Sequence, residues 1–174
     1  LPHDCYGGTF RLFSSLAKKG ILEVHFVNQG DESLIKKAIQ EIQPNLIWLE
    51  TPSNPLLQVV DIEQIALQAK SINSLVAVDN TFLSPALQNP LMLGADIVVH
   101  STTKYINGHS DIVGGAAITN NEEILQKLKY WANNIGLTGS PFDSYLILRG
   151  LRTLGIRMEK HERNAKALVD ILAN

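Results

Sequence analysis

The sequence predicts an α/β layered domain with a mostly parallel sheet and helices on both faces. Three observations carry this. Leu46-Ile47-Trp48-Leu49, Leu75-Val76-Ala77-Val78 and Ile97-Val98-Val99 are short, continuous apolar runs, the pattern of strands buried on both faces. Segments with apolar residues at helical spacing precede the first two runs, so strand and helix alternate. A polar cluster closes each run, and in open α/β sheets ligands sit beyond the carboxyl ends of the strands.

Composition bounds the rest. The 174 residues suit one domain of ordinary size, and 45% hydrophobic with 18% charged residues is a globular balance with a substantial core. A formal net charge of −2 leaves no basic footprint for nucleic acid, so no such partner is expected. Cys5 is the single cysteine; no intrachain disulfide is possible, which fits a reducing compartment, and the residue reads as a small, partly buried hydrophobe. No apolar run approaches the length of a membrane span and no signal peptide opens the chain, so no membrane partner is expected. The chain opens on Leu1-Pro2 rather than methionine and reads as a piece of something longer.

Taken in order, Tyr6-Gly7-Gly8 allows a tight turn or close approach to a ligand, with an aromatic ring beside it. The same residues also read as a turn leading into a helix over Phe10–Lys19 that stops at Gly20. Leu22-Glu23-Val24-His25-Phe26-Val27 alternates and predicts a strand. Asp31 caps a helix over 32–42, and Asp61 starts the next, with Ile62, Ile65, Ala66 and Ala69 at helical spacing. Between them the apolar run 46–49 ends in Glu50-Thr51-Pro52-Ser53-Asn54-Pro55, a loop stiffened by prolines. Residues 85–93 predict a short helical or irregular connection, and Val113–Ile118 a further strand. Two helices close the chain, one over 122–133 and a long one from Asp143 towards Leu172, broken near Gly150 or Gly155.

Three polar groups fall at strand ends: Glu50 to Asn54, Asp79 to Thr81, and His100 to Lys104. Singly, Asp79 reads as a cap or turn residue, Asn54 as a turn residue and Lys104 as a solvated surface lysine. Together they suit a phosphate-bearing aldehyde. The hydroxyls of Ser101 and Thr103 can donate to phosphate, and the amine of Lys104 can form a Schiff base. A carboxylate such as Asp79 favours the protonated form of a pyridine nitrogen. There is no Gly-x-Gly-x-x-Gly after the first strand and no P-loop, so a nucleotide-binding domain lacks support. A non-catalytic assembly module would need none of Lys104, Asp79, Ser101 and Thr103.

Asp79-Asn80-Thr81-Phe82, Ser101-Thr102-Thr103-Lys104-Tyr105 and Gly108-His109-Ser110-Asp111 resemble the signature of the cysteine/methionine-metabolism family of pyridoxal-phosphate enzymes. The resemblance covers essentially the whole chain. Asp4 to Phe13, Thr81 to Pro90 and Trp131 to Gly136 resemble the family's bacterial γ-synthase branch. The resemblance implies the large, cofactor-binding domain of a fold-type I enzyme, similar to aspartate aminotransferase. On this basis residues 1–142 would form its core and 143–174 a connector helix towards a further domain. It implies pyridoxal 5'-phosphate held as a Schiff base by Lys104, which would also carry protons. Asp79 would pair with the ring nitrogen, Tyr6 stack on the ring and take part in catalysis, Ser101 and Thr103 bind phosphate, and Asn54 lie near the ring hydroxyl. Arg11 would face the distal carboxylate of the substrate; the competing reading is a surface ion pair. No metal is implied.

The reaction implied is γ-replacement, joining O-succinylhomoserine and cysteine into cystathionine with release of succinate, in methionine biosynthesis. Cystathionine γ-lyase, methionine γ-lyase and homoserine-ester sulfhydrylase activities are the alternatives within the family. Small amino acids are the expected substrates, the cytoplasm the expected location, and a homotetramer built from dimers the expected assembly. The family also has an amino-terminal arm, a glycine-containing phosphate loop and a substrate-carboxylate arginine that do not occur in this sequence. The chain by itself is therefore expected to be inactive or poorly active.

Overall fold

The computed structural model describes residues 1–173. Four strands form one sheet in the order β1 (Leu46–Glu50), β2 (Leu75–Asp79), β3 (Ile97–Ser101), β4 (Gly115–Ile118). The first three run parallel and β4 is antiparallel to β3. Register places Glu50 beside Asp79 and Asp79 beside Val99, so the polar ends of three apolar runs meet along one edge of the sheet. Ser101 pairs with Gly115 at the same end.

One face packs on α2 (Glu32–Ile42) and α3 (Ile62–Ser71). Ile35 and Ile39 of α2 join Ile62, Ile65 and Ala69 of α3 over Ile47, Leu49, Val76 and Val78. Asp31 caps α2 by accepting from the N–H groups of Ser33 and Leu34, and Asp61 caps α3 by accepting from Gln64. The other face meets α1 (Gly7–Lys18), whose Phe13 ring packs 5.8 Å from that of Trp48. Strand alternation explains this: Trp48 points away from the side that Ile47 and Leu49 cover. Helix α1 begins three residues earlier than the Phe10–Lys19 pattern predicts and ends at Lys18. Gly20, at φ 68°, then closes it as the N–H groups of Gly20 and Ile21 reach back to the carbonyls of Ala17 and Leu16.

One expected strand is absent, and one helix boundary shifts. Residues 22–27 form no strand beyond a single bridge between Pro2 and Val27. The segment is extended and bonded to residues 1–3, through Leu1 N–H to His25 O, Val27 N–H to Leu1 O and His3 N–H to Val27 O. Its pairing centres on Pro2, which has no N–H to extend a ladder. The break expected near Gly150 or Gly155 is present and divides the terminal helix into α6 (Pro141–Leu151) and α7 (Leu154–Leu172). Ser140 rather than Asp143 starts α6, and the break falls at Arg152-Thr153, where Thr153 N–H and Oγ1 both donate to Gly150 O. Residues 85–93 do form a short connection, as a helical turn α4 (Ser84–Leu87) and a 3-10 turn (Pro90–Leu93), and α5 spans Glu122–Asn134.

Candidate active site

The strand ends open into a cleft of about 740 Å³, within the range of small-molecule and cofactor sites. Tyr6, Asn54, Asp79, Ser101, Thr103 and Lys104 all line it. Arg11 does not; it lies on the exposed side of α1, its guanidinium folded back against Gly7.

Lys104 sits in a run of turns that follows β3. Lys104 N–H donates to Ser101 O, Asn107 N–H to Thr102 O, and Gly108 N–H to Lys104 O. The backbone is thus pinned on both sides of the lysine while its side chain is exposed. Neither Lys104 Nζ nor Ser101 Oγ takes a hydrogen-bond partner among the described residues. Thr103 differs. Its hydroxyl donates to Gly114 O at 3.2 Å and accepts from Gly114 N–H at 2.9 Å. Binding a phosphate through Thr103 would require giving up the longer of these.

Asp79 is aimed by Thr81, two residues on. Thr81 donates to Asp79 Oδ1 through its N–H at 3.0 Å and its hydroxyl at 2.6 Å, and Thr81 Oγ1 accepts from Ser101 N–H at 2.8 Å. One hydroxyl therefore fixes the carboxylate and ties the end of β2 to β3. Oδ2 is left without a hydrogen bond from the described residues. Beneath it, fully buried Asn80 exchanges hydrogen bonds with Gln88, whose amide also reaches Thr51 O. The Asp-x-Thr spacing, an Asx-type turn, is the sequence signal for this arrangement.

Glu50 is the second functional residue that sequence reasoning missed. Its carboxylate is buried yet lines the cleft, and it accepts from Tyr6 N–H at 2.9 Å and Asn54 N–H at 2.8 Å. It fixes the backbone at Tyr6, 44 residues away, and at Asn54, four residues on, and so places both residues at the cleft. Burial pushes its carboxyl up to about 6; the two N–H donors pull the other way, and nearby Asp79 and Asp4 add to the rise. Gln29 brackets the same residue, donating to Glu50 O.

His161 of α7 forms another wall, its ring 5.3 Å from that of Tyr105. Nothing in the local sequence marks it. His100 points to the opposite side, buried, with Nδ1 unpartnered; burial lowers its pKa, partly offset by the charge of Asp79 and by the Asn80 backbone. Cys5 is buried and its thiol is pushed up, first by burial and then by Glu50, which removes it as a nucleophile.

The donor set fits pyridoxal phosphate. The cleft offers an unpartnered amine, a carboxylate with one free oxygen, a half-exposed aromatic ring at Tyr6 and an unpartnered hydroxyl at Ser101. Among the described residues no cluster of His, Cys, Asp or Glu could hold a metal ion, and no helix is long and apolar enough to cross a membrane.

Comparison with known proteins agrees. The model of the family described as Cys/Met metabolism PLP-dependent enzyme matches residues 1–174. Cystathionine gamma-synthase of Escherichia coli K12 is 59% identical over 171 residues, covering 98% of this chain and 44% of its own length. Cystathionine gamma-lyase of Dictyostelium discoideum is 51% identical over 169 residues, covering 97% and 43%. The crystal structure of cystathionine gamma synthase from Xanthomonas oryzae pv. oryzae in complex with cystathionine superposes with a TM-score of 0.96 at 53% identity, over 99% of this chain and 44% of that one. The chain thus spans less than half the length of these relatives.

Proposed function

This chain belongs to the Cys/Met-metabolism family of PLP-dependent enzymes, and on that premise we propose that the protein condenses O-succinylhomoserine with cysteine, giving cystathionine and succinate, as a step of methionine biosynthesis. The observation that carries the reading is the pairing of an unpartnered lysine amine with a carboxylate whose one free oxygen lines the same cleft. Residues 1–142 serve as the core of the cofactor domain and 143–174 as its connector. The protein works in the cytoplasm on small amino acids and self-associates as a homotetramer. Exposed Tyr130, Trp131, Phe142 and Tyr145 on α5 and α6 support the self-association.

Bound pyridoxal phosphate supplies an electron sink for charge that develops on the substrate carbons. Lys104 Nζ would hold it and would carry the substrate's α-proton; a four-carbon arm gives that reach. Asp79 Oδ2 would hold the proton on the ring nitrogen, with Oδ1 already fixed by Thr81. Tyr6 would lie against the ring, Asn54 would meet the ring hydroxyl, and Ser101 would donate to phosphate. Thr103 adds a second donor when its hydroxyl turns from Gly114. Arg11, in the second turn of α1, would take the distal carboxylate of the substrate by swinging its guanidinium away from Gly7.

The test is product analysis with the whole protein. Succinate release from O-succinylhomoserine that depends on cysteine and yields cystathionine is the expected result. The relative at 51% identity that is a cystathionine gamma-lyase favours one alternative. Cleavage of cystathionine without cysteine-dependent succinate release would establish that lyase reading instead.

A further inference from the structure

We propose that Arg157 is a positioning residue for Lys104, holding from α7 the turn that carries the lysine. The inference rests on Lys104 being the reactive amine. The turn is pinned by backbone bonds up to Gly108 N–H, but the carbonyls of Tyr105 and Ile106, just after the lysine, take no backbone donor among the described residues. Ile106 is buried, at 6% exposure, and Tyr105 is half-buried, so these carbonyls need a protein donor more than exposed ones do. Arg157 supplies it. Its Nη1 donates to Tyr105 O at 2.6 Å and its Nη2 to Ile106 O at 3.3 Å.

The same guanidinium reaches back to its own helix pair. Nη2 donates to Gly150 O at 2.8 Å and Nε to Thr153 Oγ1 at 3.1 Å. No described carboxylate forms an ion pair with it. A half-buried arginine that bonds three carbonyls and a hydroxyl but no carboxylate acts through geometry, because its planar fork sets the relative position of every acceptor it bonds. The surroundings are shaped to it. A Cβ at Gly108 would lie 2.1 Å from Nη1, and one at Gly150 would lie 2.3 Å from Asn107 O. One turn further along α7, His161 meets Tyr105, the residue next to the lysine, so the helix grips the turn twice.

The test uses the whole enzyme loaded with pyridoxal phosphate. R157A and R157K are compared with the parent by visible circular dichroism of the bound chromophore, by kcat per bound cofactor and by KM. In R157A the visible band weakens and kcat falls about tenfold or more, while KM stays within about threefold. R157K falls between, and millimolar guanidinium restores part of the band and of kcat to R157A alone. Parental visible dichroism and kcat per bound cofactor in R157A overturn the proposal, whatever happens to the melting temperature. If R157A does not fold, parental values in R157K overturn it equally. A K104A enzyme that still holds the cofactor in a borohydride-reducible linkage overturns instead the reading of Lys104 on which the proposal rests.

Discussion

Glu50 sits between two demands. It must accept N–H groups from Tyr6 and Asn54, which favours the charged form, and it is buried near Asp79 and Asp4, which disfavours it. Burial wins, and the carboxyl rises from 4.5 to about 6 in the folded protein. For an acid raised in this way, the folded state binds the proton more tightly than the unfolded one. Its stabilising contribution is therefore present below the unfolded value and is lost as pH rises through about 6. Glu50→Gln carries no such titration, so the stability of the parent relative to this variant should fall between pH of about 4.5 and 6.5. Urea denaturation across that range measures it, and a relative stability that rises with pH would contradict the account. Asp79 stands out in the sequence because it closes an apolar run, and Lys104 and Ser101 because they lie in the polar cluster after another. Glu50 closes a run too, but its bond to Tyr6 N–H spans 44 residues, and the tie from Thr81 to Ser101 N–H spans 20, so only the fold reveals those roles.

At the scale of elements, two glycines that look alike in the sequence differ in the structure. Gly150 brings α6 against the lysine turn, where a Cβ would meet Asn107 O at 2.3 Å and Ile106 O at 2.8 Å, both backbone atoms. Gly155, in α7, has nothing within 4 Å of a Cβ. Gly150→Ala should cost about 1–3 kcal/mol through overpacking. Gly155→Ala should stabilise by about 0.5 kcal/mol through helix propensity. Thermal unfolding of the pair is the check, and similar melting temperatures would refute the distinction. The sequence shows that the terminal helix breaks but not that the glycine on one side of the break is a contact. In the same way Asp31 and Asp61 were readable as caps, since the cap is a local device. The extended segment 22–27 was misjudged because its ladder depends on a distant proline.

At the scale of the whole molecule, the cleft is assembled from Tyr6 before α1, from the carboxyl ends of β1, β2 and β3, and from His161 of α7. The alternation of apolar strands with helices made the parallel part of this sheet legible, and with it the end at which a ligand sits. The antiparallel direction of β4 and the reach of α7 to the cleft depend on packing between segments far apart in the chain, and no local pattern encodes them. The central claim is that these strand ends place one lysine against the cofactor. It is tested most directly by loading the protein with pyridoxal phosphate, reducing with borohydride and mapping the adduct by mass spectrometry, alongside the Lys104→Ala variant. A single adduct on Lys104, absent from the variant, is the predicted result. Labelling spread over several lysines and unchanged in the variant would contradict it.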